Sequence, residues 1–301
     1  AREALRQSEE YQRALIEASP LAIFSLDRDG NVLTWNTGAQ QMLGWSSAEA
    51  IGRPLPIVPP DRQDEFATLR SRALAGETIL GLRLTRARKD GADIHVSLSA
   101  APIRDGEGRV ISIMAALDDI TAQVRTEQRE AHLKQVLLAI RDVNQLIADE
   151  ADRLQLTERA CEALTATTGY QSAWIVLIDD AGQPKHVTSV GFGDGFEQVR
   201  SELAAGRWPA CMKAALASVG PVVAWRPPRD CPDCPATIEH ADDAVLTTAL
   251  SFDGVDYGLF GVSLPVAMAD DAEELGLFAG MAVDLSFALR KIDDAEALRE
   301  S

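Results

Sequence analysis

Hydrophobic and polar positions change rhythm several times along the 301 residues. Residues 3–18 are polar and helix-forming, with Leu5, Tyr11, Leu15 and Ile16 as sparse apolar positions. The helix is predicted to stop at Ser19-Pro20, because the residue before a proline resists the helical conformation. Two β-rich runs, 23–26 and 32–35, flank the turn Asp27-Arg28-Asp29-Gly30 and predict a hairpin. Short helical patterns broken by glycine and proline fill residues 36–76. Three strand-like runs follow at 79–87, 94–103 and 110–117, with turns at Lys89-Asp90-Gly91 and 105–108.

After Asp119-Ile120-Thr121 the pattern becomes helical, and residues 122–167 contain neither glycine nor proline. Leu133, Leu137, Ile140, Asn144, Ile147, Ala151 and Leu154 recur at alternating spacings of four and three. That predicts one long helix with a coiled-coil seam, in which Asn144 would fix the register. Near Gly169 the helix should end. A buried strand is predicted at 173–178, a second near 186–190, helices at 196–205 and 211–217, and a short strand at 221–225. Strands at 244–252 and 257–264, joined by Asp253-Gly254, close a second sheet. The last helix carries Leu275, Phe278, Ala282, Leu285, Leu289 and Ile292 as another heptad row.

The length exceeds one ordinary core and suits two domains with connectors. The expected fold class is α+β: two antiparallel-sheet domains joined by a long coiled-coil helix, with helical extensions at both ends. The boundaries are a helix over 1–18, a domain over 19–121, a linker helix over 122–150, a second domain over 151–292, and an outgoing helix from 293 to 301. The first residues, Ala1-Arg2-Glu3, and the last, Arg299-Glu300-Ser301, read as cuts within something longer. No apolar run approaches the roughly 20 residues that span a bilayer, and no signal peptide is visible.

A net charge of −17 argues against general nucleic-acid binding, which needs lysines and arginines to neutralise phosphates. It also disfavours an anionic membrane surface. The hydrophobic and charged fractions, 46% and 25%, are those of a soluble globular protein. Four cysteines in this length make no disulfide scaffold and point to the cytoplasm, with room for a thiol or metal site.

Three of those cysteines carry the candidate chemistry. Cys231 and Cys234 form a C-x-x-C in a loop stiffened by Pro227, Pro228, Pro232 and Pro235, and Cys211 lies upstream. Thiolates suit zinc, iron–sulfur clusters and haem iron, and His240, six residues past Cys234, could supply a fourth ligand; His186 is the other histidine of this half. A redox-switched dithiol and an inert structural set are the other two readings. Cys161 sits alone on a helix and reads as a small buried hydrophobe.

Two resemblances order these observations. Residues 9–122 resemble a PAS domain, through the run from Ile23 to Asn36, Leu43-Gly44-Trp45, Ile51-Gly52, Lys89-Asp90-Gly91 and the closing Asp119-Ile120-Thr121. Residues 143–294 resemble a GAF domain of bacterial sensor kinases and cyclic-di-GMP enzymes. The carriers are Val143-Asn144-Gln145-Leu146-Ile147, the run from Gly169 to Ile175, the cysteine trio, the run from Tyr257 to Pro265 and that from Phe278 to Leu289. The resemblance implies a cytoplasmic sensory region that dimerises through its helices and serves a histidine kinase or cyclase output domain in cis, with no catalysis of its own. His132 lacks the sequence surroundings of a phospho-acceptor histidine, and neither an ATP lid nor a cyclase signature appears. For the PAS cavity the absence of any cysteine excludes a covalent flavin photocycle. Non-covalent flavin near Trp35, Asn36 and Trp45 remains, beside an empty, dimerising core. Alternatives for the second domain are a thiol enzyme such as a free methionine sulfoxide reductase, and a purely structural dimerisation module. Cyclic-nucleotide binding is disfavoured by the acidic run from Asp230 to Asp243.

Overall fold

The structure, a computed structural model, describes residues 2–167, 169–192, 195–218, 220–225 and 243–300. Two compact units divide the chain, Ala1–Glu127 and Gln128–Ser301.

The first unit opens with helix α1 (Arg2–Glu17). A hairpin of β1 (Ala22–Leu26) and β2 (Val32–Trp35) follows, then helices α2 (Thr37–Leu43), α3 (Ser47–Ala50) and α4 (Gln63–Leu74), and strands β3 (Ile79–Ala87), β4 (Asp93–Arg104) and β5 (Val110–Asp119). All pairings are antiparallel, in the order β2-β1-β5-β4-β3. The hairpin turns where the Asp27 carboxylate accepts from the backbone N–H groups of Asp29 and Asn31 at 2.9 and 2.8 Å. Gly30 takes the positive φ of 94° that this turn requires.

Asn36 ties three elements together. Its Oδ1 accepts from Ala39 N, which caps α2, and from Ile23 N; its Nδ2 donates to the carbonyls of Ile16 and Leu21. The buried amide is thus spent on the frame, as the satisfaction of buried polar groups demands. Trp35 is spent similarly: buried, it donates Nε1 to the Trp45 carbonyl at 2.9 Å.

The triplet Asp119-Ile120-Thr121 makes the exit. Asp119 Oδ1 accepts from Thr121 N at 2.9 Å, Ile120 N donates to the His95 carbonyl, and Thr121 Oγ1 accepts from His95 N. Helix α5 (Thr121–Asp149) starts on that anchor.

In the second unit α5 is followed by α6 (Arg153–Ala166), strands β6 (Ser172–Ile178) and β7 (Pro184–Val190), helices α7 (Gly195–Ala204) and α8 (Ala210–Leu216), strands β8 (Val222–Trp225), β9 (Asp243–Phe252) and β10 (Val255–Pro265), and helix α9 (Ala272–Glu300). The sheet runs β7-β6-β10-β9-β8, again antiparallel. Counted within each unit, both sheets have the strand order 2-1-5-4-3. This second sheet is covered on both faces. A large core with α5, α6 and α9 includes Val136, Leu156, Phe260 and Phe278, and a smaller one with α7 and α8 is built on Trp174, Phe196 and Leu259. Its central strands are therefore buried almost without alternation.

Two expectations need correction. The single helix over 122–167 is two helices, because the Asp152 carboxylate accepts from Leu154 N and Gln155 N at 2.9 Å each and starts a new helix without help from glycine or proline. The continuous seam divides as well. Leu133, Ile140 and Ile147 pack into the unit's own core beside Val136, Ala139 and Val143, whereas Leu137, Asn144, Ala151 and Leu154 are exposed. The terminal row has the same character: Phe278, Ala282, Leu285, Leu289 and Ile292 are buried in that core. Among the described residues no helix is long and apolar enough to cross a membrane.

Candidate functional site

In the first unit a cavity of about 50 Å³ lies between the inner face of the sheet and α4. Phe66, Leu69, Arg70 and Ala73 form the helix side, at the three- and four-residue spacings of one helical face. Alternation along β3 sends Leu84 and Arg86 to the cavity. Every lining residue other than Arg70 and Arg86 is apolar. Trp35, Asn36 and Trp45 do not line it, which corrects the expected pocket; these three are engaged in the frame described above. Ligand pockets for drug-sized molecules hold about 300–1,000 Å³. The space here is therefore too small for flavin or haem without rearrangement.

Arg86 is 3% exposed. Its Nη1 donates to Glu65 Oε1 at 2.7 Å and to its neighbour's carbonyl, Thr85 O, at 2.8 Å. A buried guanidinium needs such a partner, since an unpaired buried charge is prohibitively costly. Arg70 donates to the Asp29 carbonyl. Sequence reasoning missed both arginines, although a signal was present: Leu82, Leu84 and Arg86 occupy alternate positions of one strand, so a charge stands in an apolar row.

The second unit holds a buried polar cluster. Glu274, in the first turn of α9, is fully buried; its Oε2 is 3.0 Å from Nε2 of buried His132, and its Oε1 accepts from the Tyr170 hydroxyl at 2.7 Å. Burial pushes the Tyr170 phenol well up, with the Glu274 carboxylate beside it adding to the effect, so the hydroxyl stays a donor. One turn away, Asp271 binds Arg129 and accepts from the backbone N–H groups of Glu273 and Glu274. The Arg129 hydrogen bonds hold the Asp271 carboxyl down at about 2. Arg129 and His132 lie one turn apart on α5, so this helix is bonded twice to the start of α9.

Of the cysteine set, Cys211 is half-buried on α8 and packs against the core around Trp174 and Phe196. Cys231, Cys234 and His240 lie outside the described residues. His186 places Nε2 2.9 Å from Thr188 Oγ1 on its own strand. Among the described residues no group of three or more histidine, cysteine or acidic side chains is arranged to hold a metal ion. Cys161 is buried in the large core, and burial pushes its thiol up, as its reading as a hydrophobe expects.

Comparison with known proteins agrees with the first unit. The family described as PAS fold matches residues 16–125. The sensor protein FixL of Bradyrhizobium diazoefficiens is 26% identical over 187 residues, 60% of this chain and 36% of that protein. The signal transduction histidine-protein kinase AtoS of Escherichia coli is 23% identical over 184 residues, 61% of this chain and 28% of that protein. The chain spans between about a tenth and about a third of the length of the curated relatives it matches. A crystal structure of a PAS domain from Colwellia psychrerythraea aligns with 21% identity and a TM-score of 0.35, over 38% of this chain and 97% of that one. Residues 16–125 are a PAS domain, in a chain related to sensor proteins and histidine kinases of signal transduction.

Proposed function

We propose that the chain is the sensory and dimerisation module of a signal-transduction protein. In this reading a PAS domain is followed by a GAF domain, and the pair passes a ligand, cofactor or redox state to a histidine kinase or cyclase output domain. The observation that carries the reading is the PAS match ending where α5 begins, with α5 bonded through Arg129 and His132 to α9. A bistable change in that packing is the kind of event that moves signals through helices. The shared strand order and the sheet covered on both faces support the GAF assignment together with the sequence resemblance. Exposed Leu137 and Leu154 on α5 and α6, and Leu298 on α9, supply apolar positions for helical dimerisation.

The function is tested by fusing the chain, through the end of α9, to a histidine kinase core and measuring autophosphorylation with and without residues 1–120. A sensory module changes the rate when its first domain is removed; an equal rate contradicts the reading. Sedimentation that finds only monomer at every concentration contradicts the dimer.

Cys211, Cys231 and Cys234, with His240, remain the proposed cofactor, metal or thiol-switch set, on the strength of their sequence spacing. An absorption spectrum with zinc and iron analysis, on protein purified without oxygen, tests it. Bound zinc or iron supports the metal form, and a colourless, metal-free protein with inert thiols removes it. Turnover of methionine sulfoxide with thioredoxin would favour the enzyme reading instead.

A further inference from the structure

We propose that the cavity of the first unit binds a short-chain aliphatic carboxylate, with the acid group on Arg86 and the carbon chain among the leucine and isoleucine side chains. The inference rests on reading this unit as a sensory domain and adds the chemical class of its ligand.

Two arginines, Arg70 and Arg86, and no acidic residue line the cavity. Glu65, which pairs with Arg86, is not part of that lining and keeps 35% of its side chain exposed. A guanidinium carries five N–H donors in a planar fork. Among the described residues both hydrogen bonds of Arg86 leave from Nη1, which leaves Nε and Nη2 of the fork for a second acceptor. The planar fork suits a carboxylate, which accepts two parallel bonds from it.

Arg86 also stands where the strand should present an apolar side chain, next to Leu84. A structural salt bridge between α4 and β3 does not require that position, since a pair at the solvent edge costs far less desolvation. Arg70, on the helix side, adds a second positive charge; among the described residues it pairs with no carboxylate, and its hydrogen bond goes to the Asp29 carbonyl. The remaining wall, with Leu55, Ile57, Leu98 and Ile113, suits a hydrocarbon tail. The volume of about 50 Å³ sets the length: a few carbons, and neither a long fatty acid nor an aromatic cofactor.

The full chain is titrated with acetate, propionate and butyrate at constant ionic strength, by calorimetry and by the shift of the thermal midpoint. Propionamide, the neutral counterpart of propionate, is the control. The carboxylates are expected to bind saturably and raise the midpoint, and propionamide to bind about tenfold more weakly or worse, as the loss of a charged hydrogen bond implies. Arg86→Gln should lose the preference for carboxylate over amide. Ala100→Leu keeps both arginines, fills the cavity and should abolish binding, so the test survives if the arginine variant fails to fold. Equal binding of propionate and propionamide overturns the carboxylate assignment, as does carboxylate binding unchanged in either folded variant, or no carboxylate binding. None of these outcomes touches the sensory reading, which stands or falls on the response of the kinase fusion.

Discussion

His132 Nε2 lies 3.0 Å from Glu274 Oε2 within the second unit, and both side chains are buried. The contact joins residues separated by 142 positions and bonds the helix that leaves the PAS domain to the helix that ends the chain. Removing one member leaves the other buried with one hydrogen bond fewer, which costs about 1–3 kcal/mol. His132→Ala is therefore expected to destabilise the second unit by that amount in urea unfolding. Tyr170→Phe removes one hydrogen bond to a carboxylate and should cost about 1.5–3 kcal/mol. A double-mutant cycle between positions 132 and 274 should show coupling well above 0.5 kcal/mol, the scale of independent sites.

Acid should weaken the same junction. Arg129 lowers the Asp271 carboxyl from its ordinary 3.8 to about 2. The group binds protons more readily unfolded than folded. Its contribution is complete above the unfolded value and is lost as pH falls from about 4 through about 2. Asp271→Asn keeps an oxygen to cap α9 and removes the charge. Its unfolding free energy should follow pH less steeply than wild type in that window, measured by denaturant titration at successive pH values.

The break between α5 and α6 rests on Asp152. Asp152→Ala loses two capping bonds and should cost about 1 kcal/mol. Asp152→Asn or Asp152→Ser should restore most of it. A wild-type unfolding curve for the alanine variant would mean that packing of α6 alone places the break.

Close packing of β6 on β10 gives a fourth expectation. A Cβ on Gly261 would sit 2.3 Å from the Trp174 indole, which is buried and held against Phe196. Gly261→Ala should destabilise by about 1–3 kcal/mol, the range for overpacking, and should blue- or red-shift tryptophan fluorescence as the ring moves.

Much of this architecture was readable from the chain. The hairpin at Asp27–Gly30 and the strands of both sheets announced themselves by turn residues and alternation, and the buried runs of the second sheet by unbroken hydrophobicity. The heptad rows were visible too, but their meaning was not. Leu133 and Ile140 fit a coiled-coil seam and a helix packed on its own domain equally well, because both need spacings of three and four. The break at Asp152 was hidden for a related reason: a capping aspartate looks like any polar surface residue until the helix beyond it has somewhere to pack. Arg86 was legible in principle from its place in the row Leu82, Leu84, Arg86. His132, Tyr170 and Glu274 come from distant segments, and only the fold brings them together.

In the proposed module, state passes from the PAS domain to the end of α9 through the α5–α9 junction. The most direct measurement is the autophosphorylation rate of the kinase fusion carrying wild type, His132→Gln or Tyr170→Phe, each shown to be folded. Opening the junction is expected to change the basal rate and to uncouple it from removal of residues 1–120. Variants that leave both the rate and its dependence on the PAS domain as in wild type would contradict this route.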